Sequence, residues 1–329
     1  MLVSMVGARR AALFSLGLLL ACNSIVGFGD LHKVPSKGDG GRVTDDDDSI
    51  GDDDDVTPDG SRDAPPSGPR CDPKKPFSPP EVITKLDGAM ETKRAVMTRD
   101  ELEIFYLRGT SAPFEVRHTT RASRTAEWSE PSTEVLSPVA SELGSIVLDG
   151  LKLYYFNIDT SGSTIVTYAI AATRPKAGAG GFGPGTKLAG VDRSVTAAEN
   201  DDAVYWSMSE IVDGAGNSLL HRGNLQGSVV VGDSTLTDVH FYPSLDDHPV
   251  VASSELILYF ASTRPDGAAQ GSSDIWRATR ASKAVPFTAP VNVTEINSAT
   301  VDLPSWVSDD DCVILLDRSR HIMMAQRPL

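Results

Sequence analysis

The chain contains little cysteine, three residues in 329. That excludes a disulfide-scaffold miniprotein and a multi-cysteine zinc protein. Basic residues are scarce too: 30 Lys and Arg stand against 45 Asp and Glu, a formal charge of −15. No nucleic-acid partner is expected from that balance, because phosphate neutralisation needs clustered cations. No apolar run is long enough for a membrane-spanning helix; the uncharged stretch from Ala11 to Ala21 covers little more than half of what a bilayer core requires. There is no P-loop, G-x-S-x-G or H-E-x-x-H. Gly178-Ala-Gly180-Gly-Phe-Gly183 has the G-x-G-x-x-G spacing, but Pro184-Gly185 follows it where a dinucleotide fingerprint needs a helix. Asp45–Asp48 and Asp52–Asp55 lack the alternating ligands of a calcium loop. Neither a metal nor a cofactor is expected. Glycine and proline are plentiful, 28 and 21 residues, which suits short strands joined by many turns.

Arg9 and Arg10, the short apolar run and the sequence Leu19-Leu20-Ala21-Cys22 form a targeting segment. The last four residues resemble the bacterial lipobox, which implies cleavage before Cys22 and acylation of its thiol. Residues 1–21 are then a signal peptide, and the acyl chains (palmitate among them) anchor the chain, each buried CH₂ contributing ~0.8 kcal/mol. Asn23, where inner-membrane retention uses Asp, implies by the same resemblance a lipid anchor in the outer membrane.

Residues 22–76 read as an Asp/Gly/Pro-rich tether. Between 36 and 70 there are 11 Asp against Lys37, Arg42, Arg62 and Arg70, so 4 − 11 = −7, with almost no apolar side chains. Such a stretch cannot offset its ordering entropy and is expected to be disordered.

From Phe77 to Leu329 the chain repeats. Phe105, Tyr154, Tyr205, Tyr259 and Ile314 sit in similar apolar strands that recur at intervals of roughly 50 residues, a repeat-architecture period. An aromatic-x-x-Pro motif precedes most units: Phe77…Pro80, Trp128…Pro131, Phe182-Gly-Pro184 and Phe287…Pro290. Four strand-length runs per unit predict an all-β, five-bladed β-propeller. The last unit stops after its third strand, and Phe77–Leu86 is an orphan outer strand able to complete it. A six-bladed ring is the alternative, but no sixth unit is found. Phe260-Ala-Ser262-Thr-Arg264 followed by Asp274-Ile275-Trp276, and Pro304…Ser308-Asp309-Asp310, closely resemble the WD40-like repeat of TolB-type propellers. That resemblance implies a propeller in an envelope assembly. It is good for units four and five and poor for unit three.

Cys71 lies just before the orphan strand, and Cys312 begins the second strand of the last unit. Strands parallel within one blade would bring them together. A disulfide and two unpaired thiols both remain open. The loops leading into the innermost strands carry Asp87, Glu91, Glu142, Asp192, Arg193, Asp246, Asp247, His248 and Asp302. Asp192, Arg193, Asp246, Asp247, His248 and Asp302 are the candidate binding rim. The functional expectation is a non-enzymatic binding or scaffolding lipoprotein that presents its channel face to a protein or glycan. The alternative is a carbohydrate-active hydrolase using acidic residues of this rim.

Overall fold

A computed structural model describes residues 69–329, except 89, 113, 135, 138, 160–165, 179–180, 192 and 213–214. The expected signal segment, Cys22 and most of the expected tether lie outside the described residues.

All regular structure among the described residues is β, arranged as five four-stranded antiparallel sheets. The fold is a five-bladed β-propeller. Closing segment β1 (Glu81–Val82) is followed by blade one: β2 (Thr92–Met97), β3 (Glu103–Arg108), β4 (Glu115–Thr120) and β5 (Ser132–Glu134). Blade two comprises β6 (Glu142–Val147), β7 (Lys152–Asp159), β8 (Val166–Thr173) and β9 (Thr186–Lys187). Blade three comprises β10 (Arg193–Ala197), β11 (Ala203–Val212), β12 (Ala215–Gln226) and β13 (Val229–Thr235). Blade four comprises β14 (Asp246–Val251), β15 (Ile257–Ser262), β16 (Asp274–Thr279) and β17 (Val291–Asn292). Blade five has β18 (Asp302–Val307), β19 (Val313–Arg318) and β20 (His321–Gln326) and takes β1 as its outer strand, with Glu81 opposite Met324 and Val82 opposite Met323.

The second strands read as nearly continuous apolar runs because both their faces are covered by neighbouring blades. β3 and β15 are buried along almost their whole length. Each core is accordingly a wedge between two blades. Phe105 and Leu107 meet Leu143 and Tyr155 between blades one and two. Tyr154 meets Val195 and Trp206 between two and three. Tyr205 meets Leu258 and Phe260 between three and four, and Tyr259 meets Ile314 and Leu316 between four and five. Leu315 and Ile322 meet Ile104 and Tyr106 across the closing seam. The register therefore puts Leu315, not Ile314, level with Phe105, Tyr154, Tyr205 and Tyr259: each is the third residue of its strand and faces the following blade. In an unbroken apolar run the sequence alone does not say which residue faces which neighbour.

A second repeat lies under these wedges. The arginine after the third strand of four blades lays its guanidinium over the aromatic of the aromatic-x-x-Pro motif: Arg121 over Trp128, Arg174 over Phe182, Arg280 over Phe287 and Arg327 over Phe77. Its Nε donates to a carbonyl in the turn between first and second strands, of Glu101, Gly150, Glu255 and Asp311 respectively, at 2.6–2.8 Å. Blade three lacks both members. There the third strand turns tightly at Gly227 (φ 65°) into a seven-residue outer strand, where the other blades have two or three residues.

The packed chain starts ahead of Phe77, which moves the expected tether boundary at residue 76. Cys71 is buried and joined to Cys312, with Cα atoms 5.7 Å apart. Asp72 N–H donates to the Pro328 carbonyl at 2.9 Å. The disulfide gives these residues something to pack against that composition alone did not offer.

Candidate functional site

The five inner strands, β2, β6, β10, β14 and β18, line the channel. All five carry a bulge where they pair with the second strand. At three of these bulges a non-glycine residue takes positive φ: Arg94 (55°), Ser194 (47°) and His248 (55°). The extra residue re-aims a side chain towards the axis. Blade two has Gly144 at this point, and a Cβ there would stand 1.8 Å from the Val195 carbonyl oxygen. Only glycine permits that approach of two inner strands, and it narrows the channel.

Arg94 fills what remains. Its Nη2 donates to Glu142 Oε1 at 2.6 Å and Nη1 to the Pro304 carbonyl at 3.3 Å. Asp317 accepts from the Arg94 backbone N–H at 2.9 Å and lies 3.6 Å from Nη1. Ser194 Oγ donates to Glu142 at 3.1 Å, and His248 Nε2 stands 3.5 Å from the same carboxylate. Asp247 accepts from Ser207 Oγ at 2.5 Å and from the His248 N–H, with Arg193 at 3.8 Å. Burial pushes Asp317 up to about 6 and raises Glu142 as well, Arg94 pulling against both. Arg94 is raised: burial opposes its charge, but Glu142 and Asp317 outweigh that. The cavity lined by Arg94, Glu142, Ser194 and His248 measures about 10 Å³, close to the least that holds one water.

The opposite mouth is wider, about 40 Å³, and is lined by Ser145, Thr196, Ser305, Arg99, Glu199 and Asp309 among others. Burial pushes Glu199 up to about 7. The Asp149 N–H, 2.7 Å away, works against that shift, and the carboxylates of Asp149 and Asp309 add to it.

Of the expected rim, the structure brings Arg193, Asp247 and His248 together with Glu142 at the channel. Asp246 and Asp302 begin inner strands beneath the rim rather than on it. Both are completely buried. Asp246 is held by Arg264 at 3.0 Å, Ser262 at 2.5 Å and His240 at 2.7 Å; Asp302 by Arg318 at 2.5 Å and Ser298. These are locks between an inner strand and the hairpin beside it. Asp192 lies outside the described residues. Asp87 pairs with His321 at 3.0 Å and Glu91 with Arg320, away from the axis. Arg94 and Asp317 were missed from the sequence, because nothing marks an arginine as a bulge residue before the register is known. Among the described residues no group of three or more His, Cys, Asp or Glu is placed to hold a metal ion.

No protein-family model and no curated protein matches the chain. Solved structures do. TolB from Acinetobacter baumannii is 10% identical over 74% of this chain and 57% of its own, little more than half its length, with a TM-score of 0.44. An α-L-arabinofuranosidase from Lactobacillus brevis is 13% identical over 72% of this chain and 90% of its own, TM-score 0.43. An exo-β-1,3-galactanase from Phanerochaete chrysosporium is 13% identical over 72% and 59%, TM-score 0.45.

Proposed function

We propose that the chain is a non-enzymatic binding or scaffolding lipoprotein of the bacterial envelope, and that it presents the loop face of its propeller, where the inner strands begin, to a protein partner. The observation that carries this is the distribution of exposed apolar side chains. Val139, Ile158, Val166, Phe241, Tyr242 and Leu245 are each 43–50% exposed, and all lie on loops or hairpin ends of this one face. Met90 and Val301, on the loops into β2 and β18, add to them. Apolar side chains gathered on one face mark an interaction surface. Most are aliphatic, which suits packing against another protein better than stacking against sugar rings.

A hydrolase at this rim would need two carboxylates flanking room for a sugar. Glu142 and Asp317 instead both face Arg94, and the cavity that Arg94 and Glu142 line measures about 10 Å³, whereas ligand pockets run to hundreds of Å³.

Photo-cross-linking in the native envelope tests the reading, with the reactive residue placed at Leu245 or Val166 on the loop face and at Val285 on the opposite side. One protein adduct is expected from both loop-face positions and none from Val285, with the Leu245 adduct lost on Phe241→Asp. Adducts from Val285 alone, or none from the loop face, would overturn it.

A further inference from the structure

Three of the five blade interfaces are latched by a repeated pair, and the closing seam keeps only half of it. On the turn face, opposite the loop face, the third residue of a second strand is a tyrosine whose hydroxyl donates to a carboxylate in the next blade's first turn. Tyr205 donates to Glu255 at 2.8 Å and Tyr259 to Asp311 at 2.5 Å; Tyr154 donates to Asp201. Asp201, Glu255 and Asp311 all take positive φ, 56–61°, which turns their side chains back towards the preceding blade. Between blades one and two both members are missing, Phe105 facing a turn that has Gly150. No carboxylate is therefore left there without its tyrosine.

The seam between blades five and one differs. The carboxylate is present: Glu101 has positive φ (64°) and is buried. The tyrosine is not, since Leu315 stands in its place. A buried carboxylate without its donor is costly. Arg121 and Arg124 of its own blade stand 3.7 Å away. Arg70 comes closer, its Nη2 lying 2.6 Å from Glu101 Oε1, while its Nε and Nη2 donate to Asp310 in blade five at 2.5 and 2.8 Å. One guanidinium therefore straddles blades five and one at the closing seam.

We propose that Arg70 is the clasp of the ring, taking at the closing seam the place that the tyrosine latch holds at three other interfaces, with the Cys71–Cys312 bond fixing the clasp to blade five. The adjoining residue is thereby held to Cys312, at the head of the second strand β19, and not only to the two-residue β1. A pull arriving along the chain ahead of Arg70 passes into β19 through the disulfide before it can peel β1 from β20. The clasp is built from described residues alone and does not depend on the partner or on lipidation.

Hydrogen exchange and thermal unfolding of the full chain test it. Arg70→Ala leaves the disulfide and β1 intact. It is expected to lower Tm by about 3 °C or more and to speed exchange about tenfold in β1, β20 and the β2–β3 hairpin, with β10–β12 unchanged. Arg70→Lys keeps the charge and restores part of the loss. Glu101→Gln costs less in the Arg70→Ala background than alone, because the two residues share one interaction. Equal Tm for Arg70→Ala and the parent, exchange that rises evenly in all five blades, or additive effects of the two substitutions would overturn the clasp.

Discussion

Glu199, at the lower mouth of the channel, sets a pH dependence of its own. In the unfolded chain its carboxyl ionises near the ordinary 4.5; in the fold burial moves that to about 7. The folded state thus holds the proton where the unfolded state has released it. The stability this contributes is complete below pH 4.5 and is lost as pH rises through 7. Glu199→Gln cannot ionise, so it is expected to gain on the parent across that interval. Urea midpoints at pH 5 and pH 8 check this: the variant's advantage grows with pH, and a difference constant between the two would remove Glu199 as the cause. Asp317, raised to about 6, acts in the same sense over a narrower interval, but its ion pair with Arg94 makes substitution there a test of the channel plug as well.

At the scale of the element, β1 is a strand of two residues that closes a ring. Its flanks extend the attachment: Ser78 N–H donates to Gln326 O at 2.8 Å and Ile83 N–H to Ile322 O at 3.1 Å. Phe77 and Leu86 are both buried, Phe77 in the wedge between blades four and five and Leu86 in the seam. A chain beginning at Gly88 loses all of this and leaves β20 as a bare edge. Its Tm is expected to fall by on the order of 10 °C against a chain beginning at Pro69; equal melting of the two would refute the closure. The second strands were legible in the sequence because both-sided burial writes an apolar run that recurs at each blade, as in Leu151-Lys-Leu-Tyr-Tyr155 and Leu256-Ile-Leu-Tyr-Phe260, and the closing strand because the aromatic-x-x-Pro motif at Phe77 has no unit before it. The arginine over each aromatic was not. Arg121 and Arg280 sit in the matching stretches Thr-Arg-Ala-Ser, yet their carbonyl acceptors, on Glu101 and Glu255, are distant in sequence and come into reach only once the hairpin is folded. Blade three matched the repeat poorly because it discards the arginine and the aromatic and lengthens its outer strand instead. At the channel, acidic rim residues were legible as a composition, but their fates were not. Asp246 and Asp247 are adjacent in sequence, and pleating sends the first into a buried lock and the second towards the axis.

For the whole molecule, the three cysteines join the fold to the question of anchoring. Two of them are consumed by one bond, Cys71 to Cys312, and both are buried, so reductants reach that bond poorly while the domain stays folded. Cys22 is then the one thiol left in the chain. Two or three acyl chains, at ~0.8 kcal/mol per buried CH₂, make a stable anchor where one alone would exchange off. Acylation also occupies the thiol, so a single chemical count reports on it. Protein purified from its own envelope without reductant, then denatured and labelled, is expected to show no free thiol and an intact mass beginning at acylated Cys22. After reduction it shows two, those of Cys71 and Cys312. Cys22→Ser is expected to incorporate no palmitate analogue and to keep its signal segment uncleaved. One free thiol before reduction, together with an unmodified mature N-terminus at another residue, would end the anchoring proposal while leaving the propeller, its plugged channel and its clasp as they stand.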